Sequence, residues 1–132
     1  MIVVNHKNEL RDIILEKKIP LDEVDVSKLT DLSYIFKNID SVLGCFSYWD
    51  VSNCENMSFL FEFSKVNCDI NYWNVSNVKY MKGIFRFSKI NSALDLWDIR
   101  NVVDFNYKYD FYESNIKIPV KWKILQLFND KS

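Results

Sequence analysis

YWDVSN at residues 48–53, YWNVSN at 72–77 and LWDIRN at 96–101 are three copies of one unit. Trp49, Trp73 and Trp97 stand 24 residues apart at each step, and Phe61 and Phe85 keep that step, as do Met57, Met81 and Phe105. VDVSKLTDLSYIF, residues 24–36, is the same unit one residue further out, with the extra residue in the loop between Phe36 and Trp49. Self-similarity at a fixed period marks a chain of stacked units, none of which buries its apolar side alone.

Within a unit, Ile70, Trp73 and Val75 form an L-x-x-L-x-L pattern, repeated by Phe46-Trp49-Val51, Leu94-Trp97-Ile99 and Leu21-Val24-Val26. Alternation around Trp-x-Val predicts a short half-buried strand. Val78, Met81, Ile84 and Phe85, like Cys54, Met57, Leu60 and Phe61, are spaced three and four apart, which predicts the inward stripe of a short helix. Phe63, Phe87 and Phe111 recur near the end of that helix. The expected fold class is therefore an α/β repeat solenoid. It is a right-handed, leucine-rich-repeat-like stack of about four 24-residue strand–helix units, with parallel strands roughly 4.8 Å apart.

Residues 1–132 read as a single repeat domain: an N-terminal cap over 1–20, repeats over 21–118 and a C-terminal capping helix over 119–132. Ile2-Val3-Val4 suits a strand, and Asn5 a cap for a helix carrying Leu10, Ile13, Ile14 and Lys17. Pro119 suits a first helical turn, and Lys121 stands where the step expects a Trp. Val120, Ile124, Leu127 and Phe128 are expected to lie on one face and cover the last coil. With that face covered, the free chain is expected to be a monomer.

Composition narrows the function. The chain is 48% hydrophobic and 16% aromatic, with two Gly and two Pro, which excludes a disordered protein. A net charge of -1 argues against nucleic-acid binding, because phosphate neutralisation calls for a basic excess. Charge is uneven: residues 1–50 carry 6 Lys/Arg against 9 Asp/Glu, and residues 100–132 carry 6 against 4. No apolar run is long enough for a membrane span, and MIVVNHKNEL does not read as a secretory signal, so the expected location is cytoplasmic. Cys45, Cys54 and Cys68 are odd in number and irregular in spacing, which fits neither a disulfide framework nor a zinc site. Cys45 and Cys68 fall at turns before successive strands and could meet. A disulfide there stays open, with two free thiols the expected state in a cytosol.

WDVSNCENMSFLF (residues 49–61) and WNVSNVKYMKGIF (73–85) resemble the BspA-like leucine-rich repeat proteins of bacterial surfaces, whose unit reads W-D-V-S-N-V-x-x-M-x-x-M-F. The resemblance covers about Leu21 to Ile118. This chain departs from it at Cys54, at Arg100 and at Tyr107-Lys108-Tyr109. The resemblance implies a non-enzymatic solenoid used for adhesion or protein recognition. The signal and wall anchor typical of surface members are not seen.

No catalytic residue is expected. His6 is the sole histidine and no motif brings a nucleophile to it, while Cys54 takes a core position held by Val78 and Val102 in neighbouring units. Asp25, Asp50, Asn74 and Asp98 share one outward position. Hydrogen bonding to Ser27, Ser52, Ser76 or backbone amides accounts for them, so no metal and no cofactor are expected. The candidate binding surface is a strip of Tyr48, Asp50, Ser52, Tyr72, Asn74, Ser76, Asp98 and Arg100, since Tyr and Arg serve as interface anchors. A rival basic face of Lys79, Lys82, Arg86 and Lys89 would suit an acidic protein or an RNA backbone. The expected function is non-enzymatic protein–protein recognition. One specific form is a phage- or mobile-element-encoded inhibitor of a host defence protein such as a CRISPR nuclease. The alternative is a surface adhesin or a fragment of one.

Overall fold

The computed structural model describes residues 1–131, so Ser132 of the expected C-terminal cap lies outside the described residues. Strand β1 (Ile2–Val3) pairs in parallel with β2 (Val24–Asp25), placing Ile2 opposite Val24. Helix α1 (Lys7–Glu16) lies between them and buries Leu10 and Ile14. Its N-cap is His6, whose Nδ1 accepts the Asn8 amide at 3.0 Å, and not Asn5. Lys17 ends the helix in the left-handed region, at φ 54°. Helix α2 (Tyr107–Asp110) and helix α3 (Val120–Lys131) close the other end.

Between Val26 and Asn106 the expected stack of four strand–helix units does not form. Within that stretch the described residues hold no helix, and strand pairing is reduced to single parallel bridges from Asp31 to Asn56 and from Asn56 to Tyr80. A leucine-rich-repeat-like α/β solenoid is therefore not the fold of this chain. Each unit is instead a train of β-turns. In the second unit Leu60, Glu62 and Ser64 donate their amides to the carbonyls of Met57, Phe59 and Phe61, three residues back. Phe59 (φ 56°) and Phe63 (φ 55°) stand third in the first and last of these turns. Tyr34 and Asn38, and Gly83 and Phe87, repeat the arrangement in the flanking units. A left-handed residue every fourth position stops an α-helix from propagating.

The intervening amides point across to the next coil. Met57, Phe59, Phe61 and Phe63 donate to the carbonyls of Tyr80, Lys82, Ile84 and Arg86 at 2.8–3.0 Å. Over residues 57–64, four backbone amides tie coils together, three close turns within the coil, and that of Ser58 donates to the Asn56 side chain. On the Trp side, side chains make the cross-coil bonds. Trp49, Trp73 and Trp97 donate through Nε1 to the carbonyls of Leu21, Phe46 and Ile70, and Asn53, Asn77 and Asn101 donate through Nδ2 to those of Ser27, Ser52 and Ser76.

Stacking on this spacing builds a ring-on-ring core. Trp49–Trp73 and Trp73–Trp97 both lie at 6.4 Å between centroids, and Phe36–Phe61 and Phe61–Phe85 lie at 5.4 and 5.6 Å. Phe59, in turn, lies over Gly83, where an added Cβ would come within 2.4 Å of its ring. That contact explains the glycine at a position its neighbours fill with aromatics.

The C-terminal end departs from expectation. Val120, Ile124, Leu127 and Phe128 face outward and are exposed. Trp122, 2% exposed, covers the last coil instead, 6.2 Å from Trp97, with Leu125 partly buried beside it. The largest apolar ring on α3 sets its rotation, because only that ring continues the Trp column. It arrives from helical backbone, and its buried Nε1 has no partner in the structure, unlike the three indoles before it.

Asp110 locks the last coil. Its carboxylate is fully buried and accepts the Gly83 amide at 2.9 Å and the Asn106 amide at 2.8 Å. Burial raises its pKa from 3.8 to about 6. The folded state thus holds the proton more tightly than the unfolded chain does. The stability this adds is complete below pH 3.8 and is lost as the pH rises through about 6. Urea titrations across that window are expected to show wild-type stability falling with pH, and Asp110→Asn to flatten the fall. Identical slopes in the two proteins would contradict the assignment.

Candidate functional site

Each core Trp follows a residue that faces solvent. Tyr48 is 98% exposed, Tyr72 76% and Leu96 59%. The cause is local: the amides of Trp49, Trp73 and Trp97 close turns on the carbonyls of Phe46, Ile70 and Leu94, which leaves the preceding side chain at the outer corner of each turn. Stacking of the coils brings the three corners into line.

The polar members of the strip are largely engaged with one another. Asp50 Oδ1 accepts the Ser52 amide at 3.0 Å and its hydroxyl at 2.5 Å; Asn74 Oδ1 accepts the same groups of Ser76 at 3.1 and 2.7 Å. These are Asx-turns, which shape the backbone after each Trp. Asp25 caps the Ser27 amide in the same way, and Ser27 hydrogen bonding holds its carboxyl below the ordinary range. In the last copy Arg100 replaces Ser. Its guanidinium meets both oxygens of Asp98 at 2.9 Å, and this hydrogen bonding lowers the Asp98 pKa to about 2. Tyr48 and Tyr72 are thus the members left facing outward without a structural task; the structure adds Leu96, which was not among the expected strip residues, with the Asp98–Arg100 pair at one end.

At the other end the strip opens into a groove of about 360 Å³. Its floor is apolar, made by Val24, Val26 and Trp49, and Asp22, Asp25 and Asp50 stand around it beside Tyr48. An apolar floor ringed by carboxylates suits the stem and cationic head of a lysine or arginine side chain. The groove was not visible in the repeat pattern, because its walls come from two coils and the N-terminal residue.

Beside the strip, Cys45 and Cys68 form a disulfide, with 2.07 Å between sulfurs and 6.4 Å between Cα atoms. This corrects the expected free thiols. Residues 23 apart become neighbours once consecutive coils stack in register, and Ser47 Oγ lies 2.9 Å from Cys68 Sγ. Cys54 is the buried free thiol, and burial pushes its pKa up to about 12, which leaves it unreactive.

The rival basic face is not a free cationic patch. Lys79 pairs with Glu55 at 2.9 Å. Arg86 lies 4.0 Å from the centre of the Tyr109 ring, donates to the Tyr109 carbonyl at 3.2 Å and sits 3.6 Å from the buried Glu62. Lys82 lies over the same ring at 5.6 Å, and Lys89 is exposed. Among the described residues no cluster of His, Cys, Asp and Glu is arranged to hold a metal, and no helix is long and apolar enough to cross a membrane.

Fold and surface together define a repeat protein of stacked turn-built coils with an aromatic strip along one side. The chain belongs to the family described as Mycoplasma protein of unknown function, DUF285, which matches residues 6–122. No curated protein and no solved structure matches it.

Proposed function

We propose that this chain is a non-enzymatic recognition module of a bacterial surface protein, of the BspA-like kind, which grips a protein partner with Tyr48, Tyr72 and Leu96. The observation that carries this reading is the exposure of two tyrosines in line on adjacent coils, 98% and 76%, with no internal contact to explain them. Aromatic side chains of this kind anchor protein interfaces at low entropic cost. The acidic groove beside Tyr48 would add selectivity for a basic side chain.

The cross-coil disulfide supports a location for this module. Such bonds persist in oxidising surroundings, so the Cys45–Cys68 bond favours an extracytoplasmic site over the cytoplasmic one expected from the opening residues. No feature of the fold or the comparisons favours a phage-encoded inhibitor of a host defence protein. Pairing of Lys79 and stacking of Arg86 weaken the case for an RNA or acidic partner.

The test places a photo-crosslinking residue at position 48, 72 or 89 in intact cells. One protein is expected to crosslink from 48 and 72 but not from 89. Tyr48→Ser with Tyr72→Ser should lower its capture by about tenfold or more while melting is unchanged. An impermeant maleimide, added with reductant, should label Cys45 on whole cells. Crosslinks from position 89 alone, or a Cys45 that the reagent never reaches, would defeat the proposal.

A further inference from the structure

The strip of Tyr48, Tyr72 and Leu96 runs into a groove at each end. One is the acidic groove, of which Tyr48, Trp49 and Asp50 are walls. The other, of about 370 Å³, lies between the last coil and α3. Leu96, Trp97, Ile99, Trp122 and Leu125 make its apolar lining, and Asp98, Arg100 and Lys121 are its charged members. Tyr48 therefore belongs to the first groove and Leu96 to the second, with Tyr72 on the coil between them.

The grooves carry uncompensated charge of opposite sign. In the first, Asp25 is engaged by Ser27 and by the fields of Lys28 and the Met1 ammonium. Asp22 and Asp50 each commit one oxygen to a backbone amide, that of Cys45 at 3.1 Å and that of Ser52 at 3.0 Å. Neither forms an ion pair among the described residues, so two carboxylates are left over. In the second groove Arg100 holds both oxygens of Asp98. Lys121 Nζ donates at 2.6 Å to the Asp95 carbonyl, a neutral acceptor, and forms no ion pair among the described residues. One ammonium is left over. A basic side chain suits the first groove, and a carboxylate on a short apolar stem suits the second.

Trp49 lines the first groove and Trp122 the second. They are three steps apart on the Trp column, of 6.4, 6.4 and 6.2 Å, so an extended chain rising about 3.3 Å per residue covers the span in about six residues. We propose that the partner lays an extended segment across the coils, with a lysine or arginine in the first groove and an aspartate or glutamate about six residues away in the second. Apolar side chains between the two pack on Tyr48, Tyr72 and Leu96. A helix rises only about 1.5 Å per residue and would need its two charges about twelve residues apart. The inference rests on the strip as the gripping surface, and adds to it the shape and charge spacing of what is gripped.

Panning a display library of random sixteen-residue peptides on the full chain, without reductant, reads this directly. Enriched peptides are expected to carry a basic and an acidic residue about five to seven positions apart, in either order, with apolar residues between. Asp22→Asn with Asp50→Asn keeps both amide acceptors, as Asn74 does one coil on, and should remove the basic preference alone. Lys121→Gln, at an exposed position, should remove the acidic preference alone. Near-UV dichroism of the Trp column verifies that both variants fold. A synthetic copy of the leading peptide with its basic residue changed to Gln should bind wild type about fivefold more weakly, and the Asn variant as well as the parent peptide does. The absence of enrichment would overturn the proposal, as would enrichment without the charge pair, a pair at helical spacing, or a pair that survives in both variants. The strip reading fails separately, through the crosslinks at positions 48 and 72. Crosslinks there without a charge pair in the panning would mean that the strip grips its partner and the grooves do not select it.

Discussion

Replacing Trp73 with Ala is expected to lower the unfolding free energy by about 3–5 kcal/mol, the range for truncating a large buried aromatic. Trp73 is 2% exposed and lies between Trp49 and Trp97 at 6.4 Å on each side, with Phe46 and Phe61 both at 6.0 Å. The neighbours cannot close over the gap, because cross-coil hydrogen bonds hold both flanking coils at the stacking distance. The variant also loses the Nε1 bond to the Phe46 carbonyl, 3.0 Å long. That carbonyl still accepts the Trp49 amide, so this part of the loss is about 1 kcal/mol. Trp73→Phe, which keeps much of the ring contact and loses the bond, should fall between wild type and Ala. Urea unfolding followed by near-UV dichroism measures both. An Ala variant with the wild-type midpoint would remove Trp73 from the core.

Reducing the Cys45–Cys68 bond is the second large effect. The bond joins residues 23 apart, and the chain entropy it removes from the unfolded state corresponds to about 3 kcal/mol. Reductant should therefore lower wild-type stability by that order and leave a Cys45→Ala, Cys68→Ala variant unchanged. Cys54 does not confuse the comparison, since its buried thiol is protonated at ordinary pH. The reduced chain should still fold, because the Trp column and the turn amides do not depend on the bond. A wild-type unfolding curve insensitive to reductant would show that the sulfurs are not joined in solution. It would also remove the main support for an extracytoplasmic location.

These two effects fall on different features of the same register. Trp73 tests whether coils stack ring on ring; the disulfide tests whether adjacent turns meet edge to edge. If the first prediction holds and the second fails, the coils stack but the strip's flank is unclamped. The tyrosine strip would then need support from the crosslinking result alone.

The period and the core were legible in the sequence. Side chains that must leave water recur at Trp49, Trp73 and Trp97, and at Phe61 and Phe85, and burial is a demand that composition and spacing express directly. The outward placement of Tyr48 and Tyr72 was readable for the same reason, as was the engagement of Asp50 and Asn74 with the serines that follow. Backbone conformation was not. Apolar residues three and four apart serve a helix and a train of turns equally well, and left-handed Phe59 and Phe63 carry no residue-type signal. Only Asn38 and Gly83, residue types that favour the left-handed region, hinted at it. Tertiary contact decided the rest. Coils close enough to share amide hydrogen bonds stabilise turns that no isolated unit would hold. The Trp column selects Trp122 over the stripe of Val120, Ile124, Leu127 and Phe128 as the inward face of α3, because a stacked indole buries more apolar surface against Trp97 than those smaller side chains would. The Cys45–Cys68 bond and the acidic groove likewise exist only once consecutive coils lie side by side, since each draws on residues that are distant along the chain.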